Sequence, residues 1–81
     1  MPEHANPEAV RDLVREINAW YAEQLILERR APVPDAARIK LLRDGLAISV
    51  ADQRALDDAD GEQADEIAAR YAALRKEFKG Q

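Results

Sequence analysis

The chain has 81 residues, no cysteine and a formal net charge of −4, with 35% charged and 47% hydrophobic residues. This length fits one helical domain over residues 1–81, and the mixed charges argue against an acidic disordered chain and against a partner held mainly by phosphate contacts. The lack of cysteine excludes disulfides and thiolate metal sites and favours a reducing compartment, so we expect a cytoplasmic protein.

The first predicted helix covers residues 7–29. Met1 to His4 lack the basic and apolar order of a signal peptide, and no apolar run is long enough to span a membrane. Asn6 is a good N-cap, and Pro7 suits the first helical position. Pro32 and Pro34 prevent the helix from continuing. The apolar side chains that recur at three- and four-residue steps are Val10, Leu13, Val14, Ile17, Tyr21 and Leu25.

The second predicted helix covers residues 35–56 and opens with Asp35 as N-cap. Gly45 indicates a close approach or a bend, and Ser49 with Asp52 offers a fresh cap that would split the helix. The helix is apolar on two sides, which is typical of a central helix or of one that faces a partner as well as its own core. The predicted core stripe is Ile39, Leu42, Leu46 and Val50, with an extension to Leu56, and the other side carries Ala37, Leu41, Ile48 and Ala55.

The third predicted helix covers residues 61–79. Asp60 with Gln63 forms the pattern of a capping box, and Gly80 follows a basic last turn. Its apolar seam is Ala64, Ile67, Tyr71, Leu74 and Phe78. Three helices with short connections predict an all-α fold, a compact antiparallel three-helix bundle that could dimerise through its second helix.

No catalytic residue, cofactor or metal site is predicted. An EF-hand alignment with Gly61 at the sixth position puts Leu56 and Ile67 where ligands are required. The acidic stretch Asp57 to Glu66, which we call the acidic turn, is therefore interpreted as a solvated turn and an acidic helix start. His4 is the only histidine and has no second ligand spaced with it. Ser49 lacks a histidine base, and Arg29 with Arg30 suits the negative end of a helix.

Part of the first helix resembles the opening helix of the small all-helical chorismate mutases. The resemblance covers Leu13 to Arg30 and implies a three-helix chain that dimerises and clasps a dicarboxylate substrate with arginines and a lysine. The sequence departs from that family at the substrate-binding positions, since Val14 replaces its first substrate-binding arginine and Asn18 replaces a typical aspartate. Arg30 is one residue out of step for the second arginine, a rotation of about 100°. The positions that match are Leu13, Glu16, Ile17, Leu25 and Glu28.

A helix-turn-helix over Leu42 to Arg75 is the second alternative, because Gly45, Ser49 and the turn at Gly61 permit it. Its reading helix would then begin Glu62-Gln63-Ala64-Asp65-Glu66, and acidic residues there would repel phosphates. A nucleic-acid partner is therefore not expected.

The favoured function is protein–protein interaction, as a homo-oligomer such as a homodimer or as a small adaptor or regulator. Three short helices have a limited interior, yet the second helix offers two apolar sides and Ile26 lies off the stripe of the first. The predicted interface residues are Ile26, Leu41 and Ile48, and the partner is the chain itself or another protein, with no small-molecule ligand indicated. Alternatively, the second helix lies between the other two and both its apolar sides are internal.

Overall fold

The computed structural model describes residues 6–79, which form three helices and no β-strand. These are α1, Pro7–Arg30; α2, Ala36–Ala55; and α3, Gly61–Lys79. The all-α prediction is confirmed, with helix ends within one residue of those predicted. Because α2 runs unbroken through Ser49, the fresh cap suggested there is wrong. The predictions for His4 and Gly80 fall outside the described residues.

Side-chain caps explain where the helices begin. The side chain of Asn6 accepts a bond of 2.9 Å from a first-turn amide of α1, and Asp35 accepts two, of 3.0 and 3.2 Å, at the start of α2. Asp60 and Gln63 bond reciprocally at 2.8 and 3.3 Å, as the predicted capping box requires. These bonds satisfy amides that have no partner within their own helix.

The hydrophobic core forms around α1. This helix packs extensively against both α2 and α3, whereas α2 and α3 meet mainly where Asp52 contacts Tyr71 and Arg70. The alternative that places α2 between the other two helices is therefore wrong: α1 is the central helix. The main cluster of buried side chains is Val10, Val14, Ile17, Leu56, Ala64, Ile67 and Tyr71.

Cross-helix contacts show the direction of each helix. Asn18, at the middle of α1, pairs with Gln53 near the end of α2, whereas Glu28, near the end of α1, pairs with Arg38 near the start of α2, so α1 and α2 are antiparallel. On α3, by contrast, Arg75 pairs with Glu16, and Phe78, further along α3, stacks on Trp20, further along α1. Consecutive helices are thus antiparallel, as predicted, and α1 and α3 run parallel.

Helix α3 covers only part of the α1–α2 pair. Near the end of α3, the ring of Phe78 stacks on Trp20 at 3.7 Å between centroids. Beyond that stack, α1 and α2 continue as a two-helix segment, residues 22–30 and 36–44, which we call the arm. Leu25 and Leu42 are buried in the arm, outside the main cluster, and the molecule measures 53 × 25 × 17 Å.

One core assignment on α2 is wrong. Val50 remains 37% exposed, whereas Ser49 is only 1% exposed. Ser49 lies seven residues after Leu42 and so points within about 20° of it, while Val50 is rotated about 80° away. The position facing α1 is therefore filled by a hydroxyl. Leu42 and Leu56 are buried as predicted.

Candidate functional site

The three predicted interface residues are all exposed: Ile26 by 50%, Leu41 by 71% and Ile48 by 58%. They do not form one patch. Leu41 and Ile48 share one flank of α2, rotated about 100–120° from the buried Leu42. Ile26 lies in a groove on the other flank, beside Ala47.

Leu41 and Ile48 lie on the flank of α2 that faces α3. Asp52, one turn beyond Ile48, bonds to α3, and Gly45, one turn beyond Leu41, touches the ring of Tyr21. On α1, Leu27 is 54% exposed. It follows Trp20 by seven residues and therefore lies on the same side as the Phe78 stack, two turns further along. We call Leu27, Leu41 and Ile48 the α3-side face.

This face is apolar because α3 does not extend over the arm. Leu27 and Leu41 occupy positions that a longer third helix would cover. Neighbouring charges are already paired within the chain, with Glu28 3.5 Å from Arg38 and Lys40 2.9 Å from Asp44. The face therefore presents exposed aliphatic side chains, and the charged side chains beside Leu41 are paired within the chain.

A buried polar network, missed by the sequence reasoning, joins α1 to α2. The Oγ of Ser49 is hydrogen-bonded to Asn18 Oδ1 and lies 2.9 Å from the carbonyl oxygen of Leu46, while Asn18 Nδ2 donates to Gln53 Oε1 at 2.5 Å. Neither an amide nor a carbonyl can serve as a general base. The hydroxyl is thus a buried structural group rather than an accessible nucleophile.

A second polar contact joins α2 to α3. The hydroxyl of Tyr71 donates to Asp52 Oδ2 at 2.5 Å, and Arg70 lies 3.4 Å from the other carboxylate oxygen. Burial raises the pKa of Tyr71, and the hydrogen bond to Asp52 raises it further. The pKa of Tyr21 is also raised, by burial and then by the charge of Glu77. These tyrosines therefore remain protonated at pH values above the ordinary pKa of tyrosine.

The acidic turn uses its side chains for helix capping and ion pairing. Asp60 caps α3, and Asp57 lies 3.4 Å from Arg11. Across residues 6–79 no cluster of three acidic or histidine side chains has the arrangement to hold a metal ion.

Two positions compared with the chorismate mutase arginines, Val14 and Arg30, lie sixteen residues apart on α1, about 24 Å along the helix. Val14, at the position of that family's first arginine, is fully buried in the core. Arg29 and Arg30 lie in the last turn of α1, where cations favour the helix dipole.

Comparisons with protein families, with characterised proteins and with solved structures find no match to this chain. None of the helices in residues 6–79 combines the length and apolar character needed to cross a bilayer.

Proposed function

We propose that this protein is a protein–protein interaction module that self-associates through its α3-side face. The observation that carries the proposal is the exposure of Leu27 and Leu41 on the arm, which α3 does not cover, and of Ile48 two turns beyond Leu41 on the same flank of α2. Fully burying an aliphatic side chain of this size contributes about 1.5–3 kcal/mol of stability. A domain of this length has a small core, so burying this face against another surface would stabilise it substantially.

A second copy of the chain is the occupant that this face fits. Two arms related by a twofold axis would each supply two helices and complete a four-helix bundle. In such a dimer each residue of the face lies near the same residue of the other copy, so an unpaired charge would meet a charge of the same sign. The intrachain pairs Glu28–Arg38 and Lys40–Asp44 reduce that repulsion. The absence of cysteine suits a reducing compartment, and we propose the cytoplasm as the location of the protein.

The test is the double variant Leu41→Gln, Ile48→Gln, followed by sedimentation and circular dichroism. Both side chains are more than half exposed, so the monomer should keep its helix content while the oligomer dissociates. The matched control is Val33→Gln, which alters an aliphatic side chain that is 85% exposed in the loop before α2. That variant should keep the wild-type mass.

Two results would contradict the proposal. A wild-type chain that sediments as a monomer at all accessible concentrations would leave the α3-side face without its proposed function. A double variant that unfolds would show that Leu41 and Ile48 support the domain itself, because loss of large core side chains costs about 2–5 kcal/mol each.

A further inference from the structure

A groove follows the outer side of the α1–α2 pair, on the flank opposite the α3-side face. Two hollows lie along it, of about 510 and 390 Å³. On α2 the lining residues Arg43, Ala47, Val50 and Arg54 succeed one another at steps of four, three and four. Residues spaced in this way share one helix face, so the two hollows are the ends of one groove, which we call the outer groove.

The centre of the outer groove is apolar and shallow. Small side chains, Ala22 and Ala47, allow a partner backbone to approach closely, and Ile26 and Val50 are exposed beside them. Arg43 and Arg54 stand eleven residues apart on α2, a distance of about 16 Å along the helix. An apolar floor of this length suits the side chains on one face of a docked helix.

Both ends of the outer groove are basic, although the whole chain has a net charge of −4. The charged residues that line its two hollows are five arginines and one aspartate, Asp57. Asp57 lies 3.4 Å from Arg11. Within residues 6–79, Arg29, Arg43 and Arg54 form no salt bridge. The five arginines are Arg11, Arg15, Arg29, Arg43 and Arg54.

We propose that the outer groove binds an acidic amphipathic helix of a partner protein, which would lay an apolar face on the alanine-rich floor and place carboxylates near the arginines at both ends. This inference rests on the proposed function in that it assigns the module its second partner. Helix-in-groove recognition uses anchors at positions i, i+3, i+4 and i+7, and complementary charge fixes their register.

The charges favour this occupant over a second copy. Pairing two outer grooves about a twofold axis would bring unpaired arginines from both copies into one interface. The floor argues against a nucleic acid, because alanine, isoleucine and valine side chains offer phosphates nothing to bind. The basic outer groove thus differs from the aliphatic α3-side face, which fits self-pairing.

The test uses a fluorescein-labelled synthetic helix of about 18 residues, long enough to span the groove. Its leucines follow the i, i+4, i+7, i+11 pattern and glutamates flank them. One control peptide has the same composition in scrambled order, and another carries lysine for glutamate. The protein variant is Arg43→Glu with Arg54→Glu, at two exposed positions that should leave the fold intact. The matched control is the Leu41→Gln, Ile48→Gln chain.

We expect saturable binding of the acidic helix by the wild type and by the matched control, and at least about tenfold weaker binding by the arginine variant. Equal binding of the scrambled peptide, or competition by duplex DNA or inorganic phosphate, would overturn the inference, since either identifies a generic anion site. A change in solution mass on replacing the arginines would overturn it too, by assigning the groove to a second copy. If no peptide binds while the Leu41, Ile48 variant still loses self-association, this inference fails and the proposed function stands.

Discussion

Gly45 offers the sharpest test of the packing between α1 and α2. In an exposed helix interior, replacing glycine with alanine stabilises by about 1 kcal/mol. At this position a Cβ atom would lie 2.5 Å from Cε1 and Cζ of Tyr21, well inside van der Waals contact. The Tyr21 ring cannot turn away easily, because it makes edge contacts with Trp20 at 5.3 Å and Phe78 at 5.7 Å.

We therefore expect Gly45→Ala to destabilise the protein. An added methyl group in a packed contact costs about 1–3 kcal/mol, which offsets or exceeds the gain in helix propensity. The net loss should reach up to about 2 kcal/mol in the free energy of unfolding. In a Tyr21→Leu background the clash is removed, and the same change should become stabilising.

Urea unfolding at a fixed protein concentration, read by circular dichroism, measures the four free energies of this cycle. Ala51→Gly, at an exposed site on α2, serves as the control for helix propensity alone and should cost about 1 kcal/mol. A Gly45→Ala variant that gains about 1 kcal/mol would refute the close approach of Tyr21 to α2.

Three further predictions concern protonation and ligands. The pKa of Tyr71 is raised in the fold, so the contribution of its hydroxyl to the free energy of unfolding is present below about pH 10 and is lost as the pH rises further. Above that pH, the urea midpoint of the wild type should fall more steeply than that of Tyr71→Phe. Millimolar calcium should leave the amide shifts of residues 57–66 unchanged, and a saturable response with a micromolar midpoint would identify a calcium loop. Nonspecific duplex DNA should bind weakly at physiological salt, and submicromolar, steeply salt-dependent binding would revive the helix-turn-helix alternative.

The sequence was sufficient to locate the helices because caps and periodicity are local. Asn6, Asp35 and Asp60 each make the capping bond that their position predicts. The seam of α3 is likewise buried through Ala64, Ile67 and Tyr71.

The sequence was insufficient for the packing order, because that depends on how far each helix reaches along its neighbours. Two apolar sides of α2 permitted a central position, yet α3 packs on α1 instead. Hydrophobicity also favoured Val50 over Ser49 for the core, whereas the helix phase set by Leu42 buries the hydroxyl. Asn18, on the opposite helix, was the signal that could have indicated a buried polar pair.

The outer groove was missed for a related reason. Arg43 and Arg54 are separated by eleven residues, and the arginines opposite them lie on another helix, so a single stretch of sequence shows no basic cluster. The spacing of Arg43, Ala47, Val50 and Arg54 at steps of four, three and four was the available signal.

The central claim, that the α3-side face is covered by a second copy, is tested most directly by amide chemical shifts of the wild-type chain recorded over a dilution series. We expect concentration-dependent shifts at Leu27, Leu41 and Ile48 and their neighbours, following one dissociation curve, while exposed residues at the far end of the molecule, such as Glu8 and Glu62, stay unchanged. Shifts at Leu41 and Ile48 that do not move with concentration, in a sample whose mass is that of a monomer throughout, would contradict it.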